Sequence, residues 1–199
     1  MPRYDFLLET YDTERVKTLS VWSQFGEEDL RFRPEPRART PHEHMVHQCL
    51  SEDAWFKGMF GIDLGEPPLP AEETRLAFLH KYAGVSARRL ERLREMPEEW
   101  FEGLARFFDV ERSRAWVLTR RIAHSAHHRG QLTACLRLLG RSLYSTYGPT
   151  ADTGGLAANG APTLYRYESL DRLLEAEARG GDAPQLPGQG GKSPTERPD

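Results

Sequence analysis

The sequence predicts an all-α protein: a four-helix bundle followed by an irregular C-terminal extension and a short terminal helix. Two observations lead to this fold class. Apolar residues recur at intervals of three and four in four long segments, which is the period of an amphipathic helix. Glycine and proline separate these segments, and a chain of 199 residues is long enough to bury one core. Four helices of roughly twenty residues pack together as a bundle.

The first helix is predicted over residues 3–25, because apolar side chains keep the helical spacing there and Gly26 supplies a C-terminal stop. Residues 27–39 contain two prolines and are predicted to form a loop. The second helix has a recognisable start, since Thr40 and Glu43 form a capping box around a proline at the first helical position.

The second helix is predicted to continue to about Gly61, so that His47 lies two turns inside it. Residues 62–71 contain three prolines and are predicted to form a loop, and a third helix follows over 72–95. The sequence of residues 97–110 is compatible with two structures. Their aromatic content suits either a short extended piece or a turn of helix packed over the bundle.

The fourth helix is predicted from about Glu111 to Leu139. Either Asp109 or Ser113 can cap its N-terminus, and Gly140 supplies the C-terminal stop.

Residues 141–162 are predicted to form an ordered but irregular flap, because Tyr144 and Tyr147 give it something to bury. A short terminal helix is predicted over 164–179. The remainder is rich in glycine, proline and serine, which is typical of disorder. The predicted domains are a metal-binding bundle (1–145), an extension packed on it (146–179) and a disordered tail (180–199).

The formal net charge of −3 argues against a general nucleic-acid binder, which needs a basic surface to displace counterions. No base-reading motif accompanies this charge, so DNA processing is not expected either. Arginines nevertheless crowd one segment, and we predict that they form the solvated outer face of a helix. They are Arg112, Arg114, Arg120, Arg121, Arg129, Arg137 and Arg141.

Cys49 and Cys135 are the two cysteines, and both occupy apolar helical positions without a CxxC pattern, so we predict that they are buried. The N-terminus carries acids where a signal peptide has an apolar run. No stretch of about 18 apolar residues is present, so no membrane association is expected. Together these features predict a reducing cytoplasm in which both thiols stay free.

The most informative segment is His-Ser-Ala-His-His-Arg-Gly-Gln, which begins at His124. His124 and His128 lie four residues apart, a rise of roughly 6 Å on a helix, so both rings project from one face. They differ by about 40° around the helix, whereas His124 and His127 differ by about 60° on the other side. The first pair converges better, which leaves His127 as a flanking residue. A third candidate ligand, His47, lies on the second helix.

Other metal and catalytic motifs fail a simple check. A zincin requires His-Glu-x-x-His, but Ser125 follows His124, and Val46 stands four positions after His42. Structural zinc fingers require paired cysteines, which the sequence lacks. Neither a glycine-rich phosphate loop after a strand nor a GxSxG elbow is present.

The segment RIAHSAHHRGQLTACLRLLG resembles the last-helix signature of the DinB-like family, and HMVHQCLSEDAWF resembles that family's second-helix pattern. The resemblance covers roughly residues 3–145. It implies an up-down-down-up bundle, often dimeric, with three metal ligands at His47, His124 and His128. The implied ion is divalent, zinc or nickel first, with iron or manganese as alternatives for imidazole ligands.

Three neutral histidines leave a bound cation near its full charge, with open positions for water or substrate. Such a cation lowers the pKa of a bound water and can deprotonate a thiol. Related family members include thiol S-transferases that use bacillithiol and isomerases that depend on mycothiol or glutathione. We therefore expect a metal-dependent thiol transferase or hydrolase acting with a small molecule or a low-molecular-weight thiol. Arg129 and Gln131 are expected to orient a carboxylate or to support the ligands.

A second hypothesis is a non-catalytic, metal-binding stress-response bundle that acts through dimerisation or partners. It is favoured by the lack of a proton-transfer carboxylate near the histidines. Glu43 lies one turn before His47, but its capping role already accounts for it.

Overall fold

The computed structural model describes residues 3–189 and is mostly helical, as predicted. Four long helices form the bundle, and a short helix with a two-stranded antiparallel hairpin lies between the third and fourth of them. The elements are α1 (Asp5–Trp22), α2 (Pro41–Trp55), α3 (Arg75–Arg94), α4 (Glu98–Glu102), β1 (Leu104–Phe107), β2 (Val110–Ser113), α5 (Arg114–Leu138) and α6 (Leu170–Ala178).

Two buried clusters show how the long helices run. One joins the end of α1 to the beginnings of α2 and α3 and to the end of α5. The other joins the beginning of α1 to the ends of α2 and α3 and to the beginning of α5. Helices α2 and α3 therefore run antiparallel to α1 and α5, which confirms the up-down-down-up order. Representative members are Trp22, Met45, Leu79 and Leu136 in the first cluster, and Leu7, Phe60, Leu93 and Leu118 in the second.

The predicted start of α2 is confirmed. The Glu43 backbone N–H donates to the Thr40 hydroxyl at 3.1 Å, and the Thr40 N–H donates to the Glu43 carboxylate at 2.8 Å. After Trp55 the helix widens into one π turn, Phe56–Phe60. Gly61 ends it with a φ of +70°, a conformation that a residue without Cβ adopts readily.

The predicted start of the last bundle helix at Glu111 was wrong by three residues. Residues Val110–Ser113 pair with Leu104–Phe107 as a hairpin, so their backbone groups are used in strand pairing before α5 begins. Ser113 is the cap, because its hydroxyl accepts the Trp116 N–H at 3.3 Å; Asp109 lies in the hairpin turn. Both alternatives for 97–110 occur side by side, a helical turn followed by a strand.

The terminal helix begins at Leu170 rather than at the predicted residue 164. Leu164 is held in an irregular segment instead, since its backbone carbonyl accepts the Ser145 N–H at 2.8 Å and its N–H donates to the Ser145 hydroxyl at 2.9 Å. Residues 141–162 are irregular apart from two short 3₁₀ turns, as expected. The division into three domains stays a prediction; of the tail, 180–189 carry no helix or strand, and 190–199 lie outside the described residues.

Both cysteines are buried and free, as predicted. Burial raises the pKa of the Cys49 thiol to about 12 and also raises the pKa of Cys135. Within residues 3–189, no helix is long and apolar enough to cross a membrane.

Candidate metal centre

The structure brings the three predicted histidines together where α2 packs against α5. One ring nitrogen from each of His47, His124 and His128 lies within 4.8 Å of the other two. The ring centroids are separated by 4.4 Å between His124 and His128, 4.6 Å between His47 and His128, and 5.3 Å between His47 and His124. Among residues 3–189 this is the one group of three or more potential ligands. His127 is exposed and flanks the group, as its position on the helix predicted.

One ring is oriented by an amide. His128 Nδ1 lies 2.8 Å from Gln131 Oε1, and because an amide oxygen can only accept, Nδ1 carries the proton. His128 Nε2 then presents its lone pair toward His124 Nε2, which lies 3.2 Å away. Gln131 therefore contacts one of the predicted ligands, and its role toward a metal ion stays a prediction.

The environment keeps the rings neutral. Burial lowers the pKa of His124 to about 3, assisted by the nearby Arg121 guanidinium, and lowers that of His128 to about 4. Burial also lowers the pKa of His47, with Arg39 and Arg121 acting in the same direction. Near neutral pH each ring therefore offers a lone pair instead of a charge, which is the form that binds metal.

A sequence profile of the DinB superfamily matches residues 10–132, more than half of the chain. The chain belongs to the DinB superfamily. Solved structures share its fold. A DinB-like protein from Bacillus cereus aligns with a TM-score of 0.65 at 22% identity, over 74% of this chain and 100% of its own. A DinB-like protein from Bacillus subtilis aligns with a TM-score of 0.55 at 12% identity, over 69% of this chain and 94% of its own. No curated protein sequence matches the chain.

The donor set of this DinB superfamily member fits a divalent cation. A tetrahedral ion with metal–nitrogen bonds of about 2.1 Å holds neighbouring nitrogens about 3.4 Å apart, and the two Nε2 atoms on α5 already lie 3.2 Å apart. Two lone pairs facing each other at this distance repel unless a cation or a proton lies between them. His124 Nδ1 is buried without a hydrogen-bond partner in the described part of the chain. That leaves Nε2 as the nitrogen through which the ring can gain a strong interaction.

A buried ionic network next to the histidines was not anticipated from the sequence. Glu52 is fully buried on α2 and lies 3.4 Å from both Arg89 of α3 and Arg121 of α5. The hydroxyls of Tyr11 and Tyr82 donate to its two oxygens at 2.7 and 2.9 Å. Burial raises the pKa of Glu52, but the two arginines and two hydroxyls outweigh it and leave the pKa below its ordinary value.

The prediction that the arginines of α5 form a solvated face was wrong for two of them. Arg121 is fully buried, and it donates to Ser51 at 3.0 Å and to Ser125 at 3.1 Å. The network therefore connects α2 to α5 within one turn of His124 and fixes the spacing across which His47 reaches its partners. The sequence shows Glu52, Arg89 and Arg121 in three separate helical segments, but nothing in it indicates that they pair.

Arg129 is the second buried arginine of α5, and its contacts differ from those that its predicted role requires. It forms an ion pair with Glu14 of α1, donates to the Thr18 hydroxyl at 3.2 Å and contacts the Tyr147 hydroxyl. Burial raises the pKa of Glu14, but hydrogen bonds from Tyr147 and Arg129 lower it further than burial raises it. Arg129 therefore ties the bundle together rather than orienting a group at the histidines.

A cleft of about 530 Å³ opens in front of the histidines. Trp55, Phe107 and Phe108 give its lining an aromatic part, and His47, His124 and His127 also line it. Residues of α2 and α5 supply the remaining lining, namely Ser51, Arg120 and Ala123. The site is thus accessible to a small molecule on one side and packed against the protein on the other.

Proposed function

We propose that this protein binds one divalent metal ion, zinc or nickel, through His47, His124 and His128, and acts as a metal-dependent thiol S-transferase or related hydrolase. The observation that carries the proposal is the convergence of three neutral imidazoles beside an open cleft. Imidazole nitrogen suits both ions, and three protein ligands leave room for one more. Iron and manganese are the alternatives that the same ligands admit.

A bound divalent cation would supply positive charge that lowers the pKa of a thiol or a water in its open position. The chain's own residues keep the histidines neutral by burial and orient His128 through Gln131. In the transferase reaction the thiol releases its proton to solvent, its sulfur bonds to the electrophilic carbon, and the leaving group departs with the bonding electron pair. A low-molecular-weight thiol in a reducing cytoplasm is the partner that this chemistry requires.

Elemental analysis of protein purified without a nickel column tests the metal site. We expect close to one equivalent of zinc or nickel in the wild type and a loss of most of it in His47→Ala. His127→Ala is the matched control, because His127 neighbours the cluster without belonging to it. Full metal occupancy in His47→Ala would remove His47 from the ligand set.

A turnover assay tests the chemistry. Bacillithiol, mycothiol and glutathione are each offered with an aryl halide electrophile, in metal-loaded and chelator-treated protein. We expect one of the thiols to support turnover that disappears with the metal and returns when it is restored. The absence of metal-dependent turnover with all three would remove the transferase.

The alternative is a non-catalytic metal-binding bundle that acts through dimerisation or partners. It is favoured by one observation: within residues 3–189, no Asp or Glu carboxylate contacts the three ring systems or lines the cleft. Metal that stabilises the protein while no substrate analogue binds would support this alternative. Light scattering of the purified chain, with and without metal, tests the proposed homodimer.

A further inference from the structure

A continuous row of aromatic rings leads from the histidines to the tip of the β1–β2 hairpin. The Trp55 ring lies 5.7 Å from His124 on one side and 5.3 Å from Phe107 on the other. Phe107 lies 4.8 Å from Phe108, and Phe108 lies 6.5 Å from Trp55. Three of these rings therefore form one wall of the cleft, and the wall begins in contact with a candidate metal ligand.

One of these rings lies at the hairpin tip, where its residue has an unfavourable backbone conformation. Phe108 is the first of the two turn residues and has a φ of +55°; among residues 3–189 it is the one residue other than glycine with a positive φ. Glycine or asparagine normally occupies such a position in a two-residue hairpin. The side chain is 67% exposed, so burial in the core does not explain the choice of phenylalanine. Residues with backbone strain of this kind cluster at active sites, ligand clamps and switch regions.

A cation without an acidic partner lines the same cleft. Arg120 projects from α5 beside the aromatic wall, and among the described residues it forms no ion pair. Its guanidinium lies 5.8 Å from the Trp116 ring, which holds it near the cleft without neutralising it. Many other arginines of this chain do pair with carboxylates, as Arg121 and Arg129 do.

The cleft carries no negative charge of its own. None of its nine lining residues is Asp or Glu; they are His47, Ser51, Trp55, Phe107, Phe108, Arg120, Ala123, His124 and His127. The buried Arg121 lies directly behind them, with its guanidinium 5.7 Å from the Trp55 ring. An unpaired guanidinium beside an aromatic wall favours a ligand that combines an apolar body with an anionic group.

We propose that this cleft binds an aromatic carboxylate, with its ring against Trp55 and Phe108 and its carboxylate on Arg120. The inference rests on the proposed function in one respect: such a molecule would be the electrophilic substrate, held with its reactive carbon toward the histidines. The binding itself requires only the cleft, which is lined by the chain's own residues.

Binding of 2-naphthoate to the full chain tests the proposal, with the uncharged 2-naphthylmethanol as the matched probe. Titrations by calorimetry are run on zinc-loaded and on chelator-treated protein. We expect 2-naphthoate to bind more tightly than 2-naphthylmethanol, by about fivefold for one solvent-accessible ion pair, in both forms of the protein. A preference that disappears on chelation would assign the carboxylate to the metal and would overturn the role of Arg120.

Two arginine variants make the test specific. Arg120→Gln should abolish the preference for the carboxylate and leave binding of 2-naphthylmethanol unchanged. Arg112→Gln is the matched control, because Arg112 also lies over the Trp116 ring, at 5.6 Å, but does not line the cleft. Equal affinity for 2-naphthoate in the wild type and in Arg120→Gln would overturn the proposal, as would an equal loss in both variants.

The aromatic wall is tested by Phe108→Ala, which should weaken both probes about fivefold without changing metal content, since ring contacts of this kind act without regard to charge. Failure of 2-naphthoate to bind a protein that retains zinc would overturn this inference and leave the metal proposal standing. Binding of 2-naphthoate by a protein that takes up no metal would overturn the metal proposal and leave this inference standing.

Discussion

The interface between α2 and α5 contains two buried polar clusters with opposite electrostatics. In the cluster around Glu52, an acid meets two arginines and two tyrosine hydroxyls, so its charge and its lone pairs are matched within the protein. In the cluster around His124, three rings of the same kind face one another, and no carboxylate contacts them in the described part of the chain. In the first cluster the Glu52 carboxylate finds its partners within the chain, whereas in the second His124 Nδ1 has no hydrogen-bond partner among the described residues. This difference favours the proposal that a metal ion completes the histidine cluster.

The largest expected effect comes from removing the carboxylate of the cluster around Glu52. Glu52→Gln leaves the buried Arg121 guanidinium without its counter-charge and Arg89 paired with Asp53 alone, and we expect the free energy of unfolding to fall by about 3–5 kcal/mol. Urea denaturation measures this loss. Asp53→Asn is the matched control, since Asp53 pairs with the same Arg89 at 2.9 Å from a more exposed position; we expect a loss of about 1 kcal/mol there. Similar losses in the two variants would contradict the comparison.

Metal binding at the histidine cluster should stabilise the folded protein. At a free zinc concentration about 100-fold above Kd, we expect the free energy of unfolding to rise by about 2.7 kcal/mol, because the folded chain binds and the unfolded chain does not. His124→Ala should lose this gain and His127→Ala should keep it. Denaturation with and without zinc provides the measurement, and a zinc effect that survives in His124→Ala would place the ion elsewhere.

Acid should affect the two clusters in different pH windows. In metal-free protein the folded histidines stay neutral to about pH 4 (His128) and about pH 3 (His124), whereas unfolded histidine takes up a proton near its ordinary pKa of 6.5. The free energy of unfolding therefore falls as pH drops from about 6.5 to 4. We expect a loss on the order of 2 kcal/mol, which is less than the pKa shifts alone would give, because solvent screens the half-buried His124 ring. Glu52 has a lowered pKa, so its contribution is present above pH 4.5 and is lost only below it.

Urea denaturation of chelator-treated protein at a series of pH values separates these windows. Replacing His124 and His128 by glutamine should reduce the loss of stability in the upper window without removing it, because the pKa values of His44 and His47 are also lowered by burial, and should leave the lower window in place. A profile that is already flat between pH 6.5 and 4 in the wild type would mean that the rings are charged in the folded chain.

The smallest effect extends the comparison from side chains to the backbone. Phe108→Gly should be more stable than Phe108→Ala by about 1 kcal/mol, because only glycine adopts a positive φ without steric conflict. Thermal denaturation of the two variants gives the difference. Equal stabilities would mean that the hairpin turn stores no strain at this position.

The bundle itself could be predicted because its signals are local. Apolar spacing and the Thr40 capping box placed α2, and the i, i+4 pair His124 and His128 placed two rings on one face. Boundaries were less certain where strand pairing competed, as at Ser113, because the hairpin partner lies outside the local pattern.

The sequence by itself determined the helical segments and the presence of a histidine pair, because helical periodicity and capping act over a few residues. The order of the bundle helices was implied by the family resemblance. Only the tertiary structure decided that His47 reaches that pair, that Arg121 turns inward to Glu52, and that the hairpin carries Phe108 to the mouth of the cleft. These contacts join residues distant along the chain, and whether a charged or aromatic side chain is buried depends on which partners the packing of the helices brings to it.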